Sequence, residues 1–217
     1  MNKHLQLPRE PISAYTHFVG LILSVIGTIF IVIEGFLALQ GSSVKLISSV
    51  IFGMSLIGLY SASTIYHWSH SSDKTIKILR KLDHSMIYVL IAGTYTPLLM
   101  TYLPYPRGLI FTSIIWAAAI VGITIKLCWF NAPRWLSTAL YILMGWSIVF
   151  DMTAIKSMAM SGIVLLVLGG ISYTIGGVIY AIKKPNISKT FGFHELFHVF
   201  VLLGSLFHYL IVVLYVL

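Results

Sequence analysis

The sequence predicts an all-α integral membrane protein, and two observations carry this prediction: its composition and the spacing of its apolar runs. Of the 217 residues, 58% are hydrophobic and 9% are charged, whereas soluble domains carry roughly 25% charged residues. A soluble fold of this composition would have a core with almost no polar surface around it. No break between apolar runs is long enough for a separate domain, so we expect one transmembrane domain over residues 1–217.

The apolar runs divide into seven segments of the length that a bilayer requires, about 20 residues as helix. Polar or turn-forming stretches such as "QGSSVK", "LPYPR" and "KKPNISK" separate them. We therefore predict a bundle of seven transmembrane helices. Their expected bounds are 13–39, 46–67, 83–102, 108–126, 135–152, 160–182 and 191–216.

The basic residues predict the orientation of this bundle. Eleven of the 14 lysines and arginines lie in the amino terminus and in the second, fourth and sixth breaks, and only Lys45, Arg107 and Lys156 lie on the other side. Because basic residues are retained in the cytoplasm, we expect a cytoplasmic amino terminus and an external carboxyl terminus. This placement also accounts for the net charge of +8 without a nucleic-acid partner.

Ionisable residues in the predicted spans gather in the cytoplasmic leaflet. Such groups are costly inside a membrane, and each is a candidate for function. Helix ends tolerate polar residues, so scatter at the interface is the alternative, but the common depth of these residues favours one site. They are His17, His67, Asp83, His84, His194, Glu195 and His198.

The stretch "HELFH" at 194–198 places two histidines four residues apart, on one face of a helix and about 6 Å from each other. That spacing suits two ligands of a tetrahedral zinc ion. The third ligand must come from another helix, and we predict His67, which has Ser63 one turn away on the same face. The alternative is that His194 and His198 only form hydrogen bonds with neighbouring helices.

Asp83 has three possible roles at such a site: it binds the metal directly, holds a metal-bound water, or orients a histidine. Three histidines and a water form an open site, in which zinc lowers the pKa of the water to about 7. A directly bound aspartate would instead close the site and make the metal structural. The sequence leaves both arrangements open.

The pattern HExxH also occurs in zinc proteases, where the glutamate is the general base. Glu195 holds that position here, so an intramembrane metalloprotease of the site-2 type is an alternative function. That family has a distant aspartate motif ending in glycine, and the nearest match, "KLDHS" at 81–85, lacks the glycine. Its metal-binding helix also comes early, whereas this one comes last.

Three stretches resemble the bacterial hemolysin III proteins, which are members of the progestin and adipoQ receptor superfamily. They are "REPISAYTH" (9–17), "SASTIYHWSHSSDKTIKILRKLDHSMIYVLIAGTYTPLLM" (61–100) and "FGFHELFHVFVLLGSLFHY" (191–209). The resemblance implies seven helices with the amino terminus inside, in a bacterial cell membrane. In the first stretch Ser13 stands where the family often has asparagine, which leaves the role of that motif open.

The resemblance also implies roles for individual residues: His67, His194 and His198 ligate zinc, while Asp83 and Ser63 support a metal-bound water. Animal relatives suggest hydrolysis of a lipid amide such as ceramide. We therefore expect a zinc-dependent hydrolase of a lipid or lipid-like amide that acts in membrane homeostasis, with membrane lipids as its partners. The alternatives are a cytolytic pore with zinc as a structural clamp, and a membrane sensor without turnover.

Overall fold

A computed structural model describes residues 7–38, 43–129 and 133–217. Every regular element in these ranges is helical, and the α-helices are numbered α1 to α8 in chain order. The helices are α1 (Pro11–Ala38), α2 (Ser43–Trp68), α3 (Asp73–Tyr102), α4 (Arg107–Cys128), α5 (Arg134–Gly145), α6 (Met152–Lys156), α7 (Met160–Ile182) and α8 (Phe193–Ile211). A 3₁₀ segment, Ser147–Phe150, precedes α6, and a π-helical turn, Val212–Val216, continues α8.

Five of the described helices are long and apolar enough, by length and composition, to cross a membrane. They are α1 up to Leu37, α2, α4, α7, and α8 together with its π-helical turn. Large apolar side chains such as Phe36, Ile120 and Leu214 are exposed on these helices, as expected where lipid replaces water. The predicted all-helical membrane fold is confirmed. The predicted end of the first span, at Leu39, lies outside the described residues.

The third helix begins earlier than its sequence predicts. We expected a break over "SHSSDKTIKILRK", but α3 starts at Asp73, and Ser72 caps it by accepting a hydrogen bond from the Thr75 N–H (3.4 Å). The lysines in this stretch suggested a loop. A helix can extend beyond the bilayer and keep its backbone hydrogen bonds, with Lys74 and Lys77 exposed on the extension.

The predicted fifth helix, 135–152, is not continuous, because α5 ends at Gly145. The Tyr95 hydroxyl donates a hydrogen bond to the Gly145 carbonyl (2.8 Å) and accepts one from the Ile148 N–H (2.9 Å). These contacts take backbone groups that a continuing helix would pair internally. With 12 residues, α5 is about 18 Å long and shorter than the hydrocarbon core of about 30 Å.

Close packing between α2 and α3 positions the polar residues that these two helices carry. A Cβ atom at Gly93 would lie 2.3 Å from Ser55 Oγ and 2.6 Å from Ser55 Cβ. Only glycine allows this approach, which is a common device for packing helices in membranes. The contact sets the position of α2, with Ser63 and His67, relative to α3, with Asp83.

We expect Gly93→Ala to destabilise the bundle by about 1–3 kcal/mol, because the added methyl group overpacks the contact with Ser55. The measurement is the midpoint of thermal unfolding in neutral-detergent micelles, which should fall by several degrees. Gly145→Ala is the matched control, since a Cβ atom there meets nothing within 4 Å. Equal midpoints for the two variants would contradict the packing argument.

Candidate metal centre

The start of α8 is fixed by two hydrogen bonds to its first N–H groups. The Gly192 N–H donates to Glu195 Oε2 (2.8 Å), and the Phe193 N–H donates to Asn186 Oδ1 (3.0 Å). Both satisfy donors that a helix start leaves without internal partners. As a result, His194 lies in the first turn of α8, with His198 one turn further along the same face.

The structure brings together the three histidines predicted as ligands. His67, His194 and His198 each have one ring nitrogen that lies within 4.8 Å of the corresponding nitrogens of the other two. The Nε2 atoms of His67 and His194 are 3.3 Å apart. His67 and His198 are fully buried, so these polar rings require partners inside the bundle.

Glu10 determines which nitrogen of His67 faces the centre. Its carboxylate accepts a hydrogen bond from His67 Nδ1, which leaves Nε2 with a free lone pair. The Glu10 N–H also donates to the His67 carbonyl (3.1 Å), and Arg9 lies 3.2 Å from the other carboxylate oxygen. The hydrogen bond with His67 holds the pKa of Glu10 below its ordinary value, so this group is a carboxylate at neutral pH.

Thr16 acts on His198 in the same way. Its hydroxyl donates to the Ile12 carbonyl (2.8 Å), so its oxygen is available to accept from His198 Nδ1 at 3.4 Å. The proton of the neutral ring then lies on Nδ1, and Nε2 is free to ligate. Histidine ligands of metals are commonly oriented by such a partner on the second nitrogen.

His17 and Ser63 form a second layer beside the three histidines. The His17 ring stacks on that of His198, with centroids 3.6 Å apart and planes inclined by 7°. His17 Nδ1 shares a hydrogen bond with Ser63 Oγ (2.7 Å), while His17 Nε2 is buried and has no hydrogen-bond partner among the described residues. Ser63 was predicted to support a water together with Asp83, and its hydroxyl interacts with both His17 and the Asp83 carboxylate.

Asp83 is buried and lines a cavity together with His17, His194 and His198. Its carboxylate is not part of the group of ligand atoms that converge within 4.8 Å among the described residues. Asp83 Oδ2 lies 3.9 Å from His84 Nε2. The catalytic roles of Asp83 and Ser63 therefore stay predictions.

The three histidines fit a zinc ion in spacing and in chemistry. Tetrahedral zinc with nitrogen bonds of about 2.0–2.1 Å separates its nitrogen ligands by about 3.3–3.4 Å, and the two Nε2 atoms of His67 and His194 are 3.3 Å apart. Two lone pairs that face each other at this distance repel unless a proton or a cation lies between them. The described residues thus form a site that is compatible with zinc.

Glu195 uses both of its carboxylate oxygens for structure. One accepts from the Gly192 N–H and the other from the Ser13 hydroxyl (3.0 Å). A protease glutamate would instead activate a water at the metal. The hydrogen bond from Ser13 also gives the motif at residues 9–17 a structural role, because it joins α1 to the start of α8.

Sequence reasoning missed Glu10 and Thr16 as partners of the metal-site histidines. A signal for them was present, because Glu10, Ser13 and His17 are spaced by three and four residues and so lie on one helical face. Thr16 precedes His17 on the same turn. A polar stripe at the start of an otherwise apolar helix indicates that this helix faces a polar site.

An apolar cavity of about 120 Å³ extends from the metal centre into the bundle. It lies between α3, α5, α7 and α8. Its walls are mainly apolar side chains, which include Ile87, Leu90, Ile91, Ile142, Phe197 and Val201. A cavity of this kind suits a hydrocarbon chain.

An all-helical multi-pass membrane protein with a buried three-histidine centre is the class that this fold and site define. Comparison with known proteins agrees: the family model described as "Haemolysin-III related" matches residues 5–209. The chain therefore belongs to the haemolysin III-related family, and it is a multi-pass protein of the cell membrane. The resemblance inferred from the motifs is confirmed.

Bacterial and animal relatives match along most of their length. The "Hemolysin-3 homolog" of Bacillus subtilis (strain 168) is 39% identical over 200 residues, which cover 92% of this chain and 90% of the relative. "Hemolysin-3" of Bacillus cereus is 36% identical over 219 residues, which cover 100% of this chain and 96% of the relative. The human "Monocyte to macrophage differentiation factor" is 25% identical over 201 residues, which cover 91% of this chain and 80% of the relative.

We expect Glu10→Ala to weaken zinc binding by about 10- to 100-fold, because His67 loses the partner that orients its ring. The measurement is competition for zinc against a chelator of known affinity. Glu34→Ala is the control, since Glu34 lies near the other end of α1 and outside the polar stripe at its start. An unchanged zinc affinity in Glu10→Ala would contradict the assigned role of Glu10.

Proposed function

We propose that this protein is a zinc-dependent hydrolase of a lipid or lipid-like amide. The observation that supports this most is the set of three converging histidine nitrogens at the end of an apolar cavity. When bound there, zinc would polarise a carbonyl group and lower the pKa of a water. The reaction adds water across the amide C–N bond, so that the acyl carbon gains a hydroxyl group and the amine leaves with a proton.

The side chains of this protein supply the remaining tasks. Glu10 and Thr16 hold the His67 and His198 rings in the tautomer that ligates. Asp83, which lines the cavity beside these rings, holds the proton that passes from water to the leaving amine, a general acid–base role that carboxylates commonly fill. The apolar wall takes the acyl chain and excludes bulk water from the reacting groups.

Removal of the metal with a chelator should abolish hydrolysis, and readdition of zinc should restore it. Asp83→Ala is expected to lower turnover by about 10²- to 10⁴-fold, as loss of a general acid–base group does, while zinc content stays near that of the parent protein. Asp73→Ala, at the exposed start of α3, is the control for turnover. Full hydrolysis by the metal-free protein would contradict the proposal.

A cytolytic pore is the second candidate, and the name of the Bacillus cereus relative, "Hemolysin-3", favours it. A pore with a structural metal would conduct ions in liposomes, and Asp83→Ala would leave that conductance intact. A hydrolase would lose turnover in the same variant. The protease alternative is disfavoured because the two Glu195 oxygens already accept hydrogen bonds from the Gly192 N–H and the Ser13 hydroxyl.

The proposal includes seven crossings with a cytoplasmic amino terminus. Besides the five long apolar helices, α3 from Asp83 onward forms a crossing, and α5 with the 3₁₀ segment and α6 forms another. The bias of lysine and arginine supports this orientation. It places the metal centre in the inner leaflet and the loop with Tyr105 outside.

Cys128 is the only cysteine of the chain and is exposed at the end of α4, so it reports on orientation without engineering. We expect a membrane-impermeant maleimide to label it only after cells are permeabilised. The double variant Cys128→Ser/Tyr105→Cys is the control, since Tyr105 is 84% exposed, and it should be labelled in intact cells. The reverse pattern would contradict the orientation.

A further inference from the structure

A second, wider cavity of about 490 Å³ adjoins the metal centre beside His194. We name it the basic vestibule, because it is defined by four cationic side chains: Arg80, Lys81, Lys126 and Arg134. These come from α3, α4 and α5, which are separate in sequence and converge here. The rest of the lining is Glu10, Tyr66, His84, Tyr180, Phe193, His194 and Glu195.

The four cations of the vestibule outnumber its two carboxylates, and both carboxylates have other partners. Glu10 is engaged by His67 and Arg9, and Glu195 is engaged by the Gly192 N–H and the Ser13 hydroxyl. The lining therefore holds more positive than negative charge.

Two of the cations are held in place while they keep donors for a ligand. Lys126 Nζ lies 3.5 Å from Ser137 Oγ, which uses one of the three donors of an ammonium group. The Arg134 guanidinium lies 5.3 Å from the centre of the Tyr180 ring, a cation–π contact that leaves its N–H groups available. Such preorganised cations suit phosphate, which accepts several charge-assisted hydrogen bonds.

The basic vestibule adjoins the apolar cavity and shares part of its wall. Five residues line both spaces: His84, Lys126, Arg134, Tyr180 and His194. A single ligand can therefore place a polar end among the cations and an apolar end between α3, α5, α7 and α8. The metal-site histidine His194 lies on the boundary between the two spaces.

From this arrangement we propose that the substrate is an anionic amphiphile: the basic vestibule binds its phosphate-bearing headgroup, and the apolar cavity binds its acyl chain. The scissile amide then lies between them, at the histidines. The substrate assignment rests on the proposed hydrolase function, but the binding itself does not require turnover. The positive-inside rule alone would scatter basic residues over the cytoplasmic face, as it does with the exposed Lys184 and Lys189.

Binding to the full-length protein in neutral-detergent micelles tests this, with dodecyl phosphate and inorganic phosphate as separate probes in isothermal titration calorimetry. Dodecyl phosphate should bind much more tightly than inorganic phosphate, because only the former fills both spaces. Lys126→Gln/Arg134→Gln should weaken dodecyl phosphate binding by at least about tenfold for each cation removed. Lys184→Gln/Lys189→Gln removes the same charge outside the vestibule and should change the affinity less than about twofold.

If both double variants weaken binding equally, the effect comes from the overall positive charge of the surface and the proposal is overturned. If inorganic phosphate and dodecyl phosphate bind with equal affinity, the vestibule binds a free anion, and the proposal is overturned as well. If Lys126→Gln/Arg134→Gln does not fold, Lys126→Gln and Arg134→Gln singly give the same comparison against Lys184→Gln. Chelator-treated protein should bind dodecyl phosphate within about threefold of the zinc-loaded form, so loss of hydrolysis and loss of binding are separate results.

Discussion

The hydrogen bond between His67 and Glu10 is the interaction on which the three-histidine centre depends. A buried imidazole can ligate only through a nitrogen without a proton, and the partner of the other nitrogen decides which one that is. Glu10 performs this function from the residue just before α1 and joins that helix to α2. Thr16 does the same for His198 on α8. The centre is therefore built as much by the amino-terminal helix, which supplies no predicted ligand, as by the helices that carry the histidines.

The first helix joins the two parts of the site. Over two turns, Glu10 contacts α2, Ser13 and Thr16 contact α8, and His17 contacts both through Ser63 and His198. These are polar contacts in surroundings that are otherwise apolar, where each bond forms with little competition from water. Beyond these turns, one side of α1 packs inside the bundle, as at the buried Ile31, and the other side exposes apolar side chains such as Ile26 and Ile29. Its function is thus concentrated in its first two turns.

Much of this arrangement could be predicted from the sequence, and the reasons for the failures are physical. Composition and span length were enough for the membrane fold, because an apolar run of about 20 residues rarely forms anything except a membrane-spanning helix. The His194/His198 spacing and the depth of His67 were enough to group the three histidines.

The break after Gly145 could not be predicted, because the Tyr95 hydroxyl, some fifty residues away in the chain, forms hydrogen bonds with the backbone groups of Gly145 and Ile148. The helical extension before Asp83 was hidden because its lysines suit a loop and a helix surface equally well. Glu10 was recognised only as part of a motif, because its spacing with Ser13 and His17 indicates a polar face but does not identify the distant residue that Glu10 contacts.

The early start of α3 has a consequence for selectivity. Arg80 and Lys81 lie on the same rigid helix as Asp83, and Arg80 is three residues away, or about 4.5 Å along the axis. A helix of 30 residues does not stretch, so the separation along the axis between the backbone positions of Arg80 and Asp83 is constant. Under the proposed function, this constant separation would select substrates by the distance between their charged headgroup and their amide bond. A molecule with too long or too short a segment between these two groups would then fail to react even if both groups had the right chemistry.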